Sequence, residues 1–232
     1  AADHGELHGE HDLYGHEFGL YDPLVNVPLM VKHPDLGTGR REGTVELIDL
    51  YHTVLDSFDA EPTAASPDEE AVPFDPTRSL LSAEYREFDG VGDADAAQTA
   101  APAGDTGFVE YSRPVVELKQ LEEKAADAGI ELDEDSRFYA RMRAARRPDA
   151  KYVRIDRIED EAFRLDSDPD ETENLVDSDD GAIAEVEASL ASFESDIGGA
   201  WTGADDAEVT DEALEDMDEE TQERLRDLGY ME

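Results

Sequence analysis

The chain has 232 residues, and its 62 aspartate and glutamate residues against 19 lysine and arginine residues give a formal net charge of −43. Such a surface repels nucleic acids and anionic membranes, so neither is expected as a partner. The sequence has no cysteine, which excludes disulfides and thiolate chemistry within these residues, and no apolar run of roughly 18 residues that predicts a membrane span.

The acidity has two explanations. One is a largely disordered acidic chain, and the other is a folded protein adapted to concentrated salt, where cations screen self-repulsion. Acidic residues are spread along the whole chain, and apolar-patterned stretches survive between them. This distribution favours the folded, salt-adapted protein, a composition of the haloarchaeal type.

A histidine cluster opens the chain. Residues 2–22, ADHGELHGEHDLYGHEFGLYD, hold four of the six histidines, several carboxylates and four glycines. A zinc-protease helix needs H-E-x-x-H on one helical face, but here Glu6 stands at the wrong place between His4 and His8, and Gly5 opposes a helix. A protease helix is therefore not favoured.

Two interpretations of the cluster remain. In the first, it is a loop of hard-cation ligands beside an anion site. Asp3 would supply a carboxylate oxygen, His4 a neighbouring ligand or hydrogen-bond partner, and His16 a donor to an anionic substrate group. The glycines would let the backbone turn tightly enough to bring these groups together. In the second, the segment is an exposed loop without a ligand.

The next segments suggest part of a layered α/β sheet. LVNVPLMVKHP at 24–34 predicts a buried strand, with Pro28 at its start or at a sheet edge. GTVELIDLYHTVLDSF at 43–58 has apolar residues spaced for one face of a helix. Residues 60–77 indicate a loop, and 79–89 indicate another strand. Strand, loop and amphipathic helix together form the repeating unit of an α/β sheet.

The second half has a different pattern. Residues 90–107 indicate a linker, and 113–129 predict a helix that begins near a proline and ends at a glycine. Residues 137–164 predict an antiparallel meander of about three strands, with turns at proline and acidic residues. Residues 166–175 lack the glycine and terminal glutamate of an EF-hand loop, which favours a solvated acidic turn. A helix is predicted at 182–197.

The predicted meander is unusually basic. It carries nine of the 19 lysine and arginine residues, namely Arg137, Arg141, Arg143, Arg146, Arg147, Lys151, Arg154, Arg157 and Arg164. These residues either form an anion-binding face or pair with neighbouring acidic residues. The strong excess of acidic residues favours pairing.

The order of several short motifs resembles the sulfatase family of the alkaline-phosphatase-like superfamily. Members carry a D-H/N-G-E loop, a G-E-H stretch, a glycine before lysine or histidine, an LYD/E step, a VPL strand and a DLxPTLL helix. The matching positions here are 3–6, 9–11, 15–16, 20–22, 27–29 and 49–55. KYVRI and EAFRLDSDPDETENL, within 151–175, are similar to the C-terminal part of the family, as is RLRDLGYME at 224–232. The resemblance covers most of 2–89 and 137–232.

The resemblance implies the C-terminal part of an alkaline-phosphatase-like sandwich, a partial sheet with flanking helices, followed by a small antiparallel meander and helix. Residues 1–110 would form the end of the α/β core with the metal-site loop, and 111–136 a helical insertion. Residues 137–200 would form the antiparallel C-terminal subdomain, and 201–232 an acidic tail with a terminal helix.

The resemblance also implies a function, the hydrolysis of sulfate esters on a small molecule or a glycan. Asp3 and His4 would be metal ligands, for Ca²⁺ or for Mg²⁺ or Mn²⁺. His16 would be both a substrate-binding and a catalytic residue, because it stands where the family has the lysine or histidine that contacts the sulfate. A phosphodiesterase or phosphonate hydrolase of the same superfamily, or a non-catalytic remnant or binding module, is the alternative.

Two departures from the family limit this implication. The sequence has no C/S-x-P-S/A-R motif for the formylglycine nucleophile and no early paired aspartates, both of which are expected in an upstream part. Asn26 stands where many members have arginine. This chain alone is therefore not expected to turn over sulfate esters. A cytoplasmic location is favoured without excluding export, and the oligomeric state is left open.

The salt adaptation can be tested directly. The isolated chain is expected to be poorly ordered at low salt and to gain structure in molar KCl, because screening weakens the repulsion between its carboxylates. Far-UV circular dichroism across a KCl series measures this gain. Full secondary structure without added salt would contradict the adaptation.

Overall fold

The computed structural model describes residues 1–39, 43–60, 73–82, 106–199 and 201. Together they form a mixed α/β structure with two antiparallel sheets and flanking helices. The strands are β1 (Leu7–His8), β2 (Tyr14–Gly15), β3 (Gly107–Tyr111), β4 (Met142–Arg146), β5 (Lys151–Ile155) and β6 (Glu161–Phe163). The helices are α1 (Asp22–Val25), α2 (Leu47–Ser57), α3 (Val115–Asp127) and α4 (Gly181–Asp196), with short 3₁₀ turns at Glu10–Asp12, Pro76–Arg78 and Arg137–Tyr139.

The larger sheet is antiparallel throughout, in the order β3-β4-β5-β6. In β4 and β5, Arg146 pairs with Lys151 and Ala144 with Val153. Because side chains alternate along a strand, this register gives the sheet two different buried faces. Tyr152 packs toward α4, whereas Val153 packs toward the N-terminal segment.

Helix α4 covers the first face. Its start is fixed by the Asp180 carboxylate, which accepts hydrogen bonds from the backbone N–H groups of Ala182 and Ile183 at 2.8 and 3.3 Å. Apolar residues at helical spacing then face the sheet. The cluster that they form consists of Ala145, Ala150, Tyr152, Ala162, Ile183, Val186 and Leu190.

The N-terminal segment covers the opposite face. Leu20 lies in a second cluster, with Ala140, Met142, Ala144, Val153 and Ile155. A third cluster joins Leu7, Tyr21 and Leu24 to Phe163 and Leu165, at and just beyond β6. Residues close to the chain start are thus packed directly onto the antiparallel sheet.

Helix α2 is held by polar contacts with the 3₁₀ turn at Pro76–Arg78 and its surroundings. Glu46 and Asp49 form a capping box at the start of α2. Arg78 donates to Asp49 at 2.7 Å and pairs with Glu46, while Glu46 also accepts from the Phe108 N–H at 2.8 Å. These contacts connect the helix to the first residues of β3.

A buried lysine links the N-terminal segment to the sheet. The Lys151 side chain is completely buried, and its Nζ donates to the Leu20 carbonyl at 2.9 Å and to Asp22 at 3.0 Å. It also pairs with the fully buried Glu171 carboxylate. Arg146, opposite Lys151 in the register, donates to both Asp22 oxygens at 3.1 and 2.8 Å. The charges therefore compensate one another inside the protein.

The pKa values of the two carboxyl groups in this network are shifted in opposite directions. Burial raises the pKa of Glu171, against the opposing charge of Lys151. Burial also acts on Asp22, but there the hydrogen bonds from Arg146 and the charge of Lys151 outweigh it, so the pKa of Asp22 lies below its ordinary value. Asp22 is thus held as a carboxylate, whereas the ionised form of Glu171 depends on Lys151.

Pairing of the basic residues of 137–164 is confirmed. Their ion pairs with carboxylates include Arg137–Glu161, Arg141–Asp156, Arg143–Glu110, Arg146–Asp22, Arg147–Asp149, Lys151–Asp22, Arg154–Glu194 and Arg164–Asp166. Arg157 donates to the Glu134 carbonyl at 3.5 Å. The basic segment is therefore the partner of the protein's own acidic residues.

Several predicted elements are confirmed, namely the helices within 43–58, 113–129 and 182–197, the three-strand meander, and the turn at 166–175. The mixed α/β class is confirmed as well. The division into four parts stays a prediction. Much of the loop at 60–77, the linker at 90–107 and the tail lies outside the described residues.

The strand predicted at 24–34 is wrong. Pro23 lies in the first turn of α1, and the Asn26 N–H closes this helix on the Asp22 carbonyl at 2.9 Å, so the start of the stretch turns instead of extending. Met30, predicted inside a buried strand, is 91% exposed. The strand predicted at 79–89 is a turn at 79–82, and its remainder lies outside the described residues.

Among the described residues, no helix is both long and apolar enough to cross a membrane.

Removing the buried ammonium tests the role of the network. Lys151→Met leaves Glu171 buried without its partner, and breaking a buried ion pair costs about 3 to 5 kcal/mol of unfolding free energy. Because burial raises the pKa of Glu171, protonation relieves the cost, so the variant is expected to regain stability as the pH falls through that pKa. Chemical unfolding in molar KCl across pH measures both effects.

The double variant Lys151→Met/Glu171→Gln is the control for this experiment. It has the same missing ammonium but no carboxyl group to neutralise at position 171. It is expected to lose less stability at neutral pH than the single variant and to lack the recovery in acid. Equal stability of the two variants at all pH values would show that the Glu171 charge does not matter.

Candidate metal and anion site

A small antiparallel ribbon forms the frame of the histidine loop. Strands β1 and β2 pair Leu7 with Gly15, and the chain between them turns through a 3₁₀ turn. Gly9 and Gly15 have backbone φ values of 125° and 93°, which residues other than glycine rarely adopt. The predicted use of glycine for tight turning is confirmed at these two positions.

Gly5 has a different role, which is close packing. Its N–H donates to the Leu24 carbonyl at 2.8 Å, and a Cβ added at Gly5 would lie 1.9 Å from the Pro23 carbonyl oxygen. Buried Leu7 anchors the loop two residues later. Helix α1 thus fixes the backbone that presents His4 and Glu6.

Three potential ligands converge at the surface of this loop. His4, Glu6 and His16 each offer a ligand atom, and these atoms all lie within 4.8 Å of one another. The His4 and His16 rings are stacked, with centroids 4.3 Å apart, although twelve positions separate them in the sequence. The side chains of His16, His4 and Glu6 are 34%, 42% and 47% exposed, so a ligand can reach them from solvent.

Hydrogen bonding identifies the available nitrogen of His4. Its Nδ1 lies 2.9 Å from the Gly5 carbonyl oxygen, which can only accept, so Nδ1 carries the proton. The lone pair of neutral His4 is therefore on Nε2. That atom lies 4.0 Å from the Asp3 carboxylate.

His16 lies between two carboxylates. Its Nδ1 is 3.2 Å from Glu6 Oε2, and its Nε2 is 3.4 Å from Glu17 Oε1. A ring with carboxylates on both sides is held in orientation whichever nitrogen is protonated. Glu17 is the more buried of the two, at 20% side-chain exposure, and also accepts from the His16 backbone N–H at 3.2 Å.

Asp3 lies at the edge of this cluster. Hydrogen bonds from its own backbone N–H and from that of His4 lower the pKa of the Asp3 carboxyl group, which is therefore a carboxylate in neutral solution. Its side chain is 85% exposed. Of the three predicted site residues, the structure brings His4 and His16 together, and Asp3 is not in the set of three converging ligands.

The remaining two histidines of the loop lie elsewhere. His11 stacks on Tyr21, with ring centroids 3.5 Å apart, and burial lowers the pKa of its imidazole. His8 is exposed. Glu6 is the converging group that the sequence analysis did not single out. It belongs to the matched D-H-G-E stretch, two residues after His4, and that position was the available signal.

The donor set differs from that expected for calcium. Ca²⁺ takes roughly six to eight oxygen ligands, whereas two of the three converging groups here are imidazoles. Imidazole suits zinc, iron, nickel and copper, and carboxylate oxygen suits Ca²⁺, Mg²⁺ and Mn²⁺. His4, Glu6 and His16 therefore do not by themselves fit the cation that the resemblance implies.

Comparisons with known proteins find similarity among solved structures. No protein-family model and no curated protein matches the chain. A crystal structure of a "putative sulfatase" from Bacteroides thetaiotaomicron is similar, with 18% identity and a TM-score of 0.48 over 84% of this chain. This chain spans 34% of the length of that protein. A likeness of this size carries no argument about function.

Substitution of Gly5 tests the tight packing under the loop. Gly5→Ala places a methyl group against the Pro23 carbonyl, which the backbone can relieve only by shifting, at a cost of about 1 to 3 kcal/mol of unfolding free energy. Chemical unfolding in molar KCl measures the loss. The matched control is Gly181→Ala at the first turn of α4, where nothing lies within 4 Å of the added atom. Equal stability of the two variants would show that Gly5 is not constrained.

Proposed function

We propose that this chain is part of a sulfatase-type hydrolase of sulfate esters, and that its first 22 residues contribute to the site that holds the cation and the tetrahedral anion. The observation that carries the proposal is the convergence of His4 and His16. These are two of the three residues to which the ordered motifs assign a site role, and their rings are in contact in a solvent-accessible loop.

His16 is the proposed anion-binding and catalytic group. A protonated imidazole donates hydrogen bonds to sulfuryl oxygens, and it can also pass a proton to the leaving ester oxygen. Its 34% exposure leaves the ring open to a substrate, while Glu6 and Glu17 hold its orientation. Hydrogen bonds aimed at an oxygen that gains charge are the kind of contact that lowers a reaction barrier.

A cation is a necessary part of this proposal. Asp3, Glu6 and Glu17 place three carboxylates next to the two imidazoles, in a protein of net charge −43. A sulfate group approaching this loop meets repulsion that two imidazoles do not cancel. Bound divalent metal would supply the missing positive charge, and Asp3 is the proposed oxygen ligand. Ca²⁺, Mg²⁺ and Mn²⁺ are the cations that the resemblance implies.

The nucleophile is not among these residues, because the sequence contains no C/S-x-P-S/A-R motif. The proposal for this chain therefore concerns binding, and turnover belongs to a protein that also has the motif. Sulfate and phosphate are both tetrahedral anions, so a phosphodiesterase or phosphonate hydrolase of the same superfamily and a non-catalytic binding module are outcomes that the experiments must separate.

Anion binding is the first test. Isothermal titration calorimetry in molar KCl, with sulfate as ligand, is expected to show binding only when a divalent cation is present. His16→Asn is expected to weaken it about tenfold or more, since a hydrogen bond to a charged group contributes about 1.5 to 3 kcal/mol. His8→Asn, which changes an exposed histidine of the same loop, is the matched control and is expected to bind as the unchanged chain does.

The outcomes of the titration separate the alternatives. Stronger binding of phosphate than of sulfate would favour the phosphodiesterase or phosphonate hydrolase. Cation-dependent sulfate binding that is equally strong in His16→Asn would remove His16 from the site. No binding of either anion would contradict the proposed anion site and favour the non-catalytic module.

The catalytic assignment needs a second test. Coding DNA upstream of Ala1 can be sequenced, and the longest in-frame product can be assayed with an aryl sulfate. An in-frame C/S-x-P-S/A-R motif with hydrolysis of the ester would support the sulfatase proposal. A stop codon or unrelated sequence directly upstream would contradict it.

A further inference from the structure

We propose that His4, Glu6 and His16 bind a divalent transition metal of the imidazole-preferring class, such as Zn²⁺, with Glu6 as its carboxylate ligand. This site shares its loop with the proposed anion site. It rests on the ligand geometry alone and not on sulfatase chemistry, so either proposal can fail while the other holds. With Nδ1 of His16 on the metal and its Nε2–H donated to Glu17, the ring has no N–H left for sulfate, and an anion would bind at the metal instead.

The separation of two ligand atoms matches such a metal. Metal–nitrogen and metal–oxygen bonds of about 2.0 to 2.2 Å place neighbouring ligand atoms roughly 3.0 to 3.4 Å apart. Glu6 Oε2 and His16 Nδ1 are 3.2 Å apart. The remaining separations in the set are within 4.8 Å, and the side chains of His4 and Glu6 are 42% and 47% exposed.

The second nitrogen of His4 is satisfied in the way that metal-bound histidines require. A ligating histidine almost always donates its other ring N–H to a carbonyl or carboxylate, which fixes the tautomer. In His4 the Nδ1–H donates to the Gly5 carbonyl at 2.9 Å, which leaves Nε2 as the ligand atom. The Gly5 N–H donates to the Leu24 carbonyl, so the fold also holds in place the backbone carbonyl that accepts from His4.

His16 has the equivalent arrangement with a carboxylate. Its Nε2 lies 3.4 Å from Glu17 Oε1, and a proton on Nε2 turns the Nδ1 lone pair toward Glu6. Without a metal, an Nδ1–H of His16 donates to Glu6 at 3.2 Å; a bound metal would replace this hydrogen bond, with the ring proton on Nε2 and Glu17 as its acceptor. Glu17, His16 and the metal would form a carboxylate–histidine–metal triad.

The number and type of ligands set the chemistry of the site. Two imidazoles and one carboxylate form a three-ligand set that leaves at least one position open for water or an anion. Ca²⁺ and Mg²⁺ prefer oxygen ligands and so compete weakly for this set, although they occupy carboxylates elsewhere on so acidic a protein. Selectivity for transition metal over calcium is therefore the property that distinguishes this site from ordinary acidic surface.

Cobalt titration tests the proposal on the full chain. Co²⁺ is added in molar KCl with millimolar Ca²⁺ and Mg²⁺ present, so that oxygen-only sites are already filled. Bound Co²⁺ with four or five ligands absorbs visible light much more strongly than the aqua ion. We expect a saturable band at one equivalent that excess Zn²⁺ removes and that excess Ca²⁺ does not.

Variants assign the band to these residues. Glu6→Gln and His16→Asn are each expected to lower the Co²⁺ affinity at least about tenfold, and Glu17→Gln, which keeps all three ligands, about tenfold through loss of orientation. His8→Asn is the matched control and is expected to bind as the unchanged chain does. Circular dichroism of every variant checks that the fold is retained.

Three results would overturn the proposal: a band unchanged in Glu6→Gln and His16→Asn, a band removed by Ca²⁺, or no band at all. The sulfate titration is a separate measurement. A metal-dependent band without sulfate binding would contradict only the proposed function. Cation-dependent sulfate binding without a cobalt band would contradict only the transition-metal site.

Discussion

The buried ammonium of Lys151 is the constraint on which the arrangement of the N-terminal segment depends. A charge taken out of water is unfavourable unless hydrogen bonds and opposite charges surround it, and here the partners come from distant parts of the chain. The Leu20 carbonyl and the Asp22 carboxylate lie about 130 residues before Lys151, at separations of 131 and 129 positions, and Glu171 follows it. Asp22 in turn donates its N–H to Glu171 at 2.6 Å. The loop before Leu20 is therefore positioned by the interior of the sheet.

The same charges explain how so acidic a chain builds an antiparallel sheet. Most basic residues of the sheet segment are paired with carboxylates, so their hydrogen bonds and charges are satisfied where exposure is low. The acidic excess is left to the surface, where water and salt screen it. Arg154 with Glu194 illustrates the division, since it bridges the sheet to α4 beside the apolar contacts of that helix. Salt concentration is thus expected to affect the interactions between surface charges more than those of the buried ion pairs.

Local patterns predicted the elements whose packing is local. The bounds of α2, α3 and α4 lie within a few residues of the prediction, and the buried face of α4 follows from its apolar spacing. The apolar face predicted for α2 is wrong, because Leu47, Ile48 and Val54 are exposed while His52 and Thr53 are buried. The five-residue strand β3 was missed because its partner β4 begins about thirty residues later, and pairing at that distance leaves little local signal. The apolar run at 24–34 was misread because its first residues, Leu24 and Val25, belong to a helical turn that the Asn26 N–H closes. Glu6 was missed because its approach to His16 depends on the fold, and the spacing of residues in the sequence does not indicate it.

Metal and anion binding at the histidine loop are linked by its charge. Three carboxylates next to His4 and His16 repel an anion, while the same groups attract a cation. On both proposals, a cation in the loop would raise the affinity for sulfate, and by thermodynamic reciprocity bound sulfate would raise the affinity for the cation by the same factor. An open coordination position would make the coupling direct, because the anion could complete the metal's ligand set. The proposed ligands His4, Glu6 and His16 would then select the metal, and the metal's charge would decide whether an anion follows.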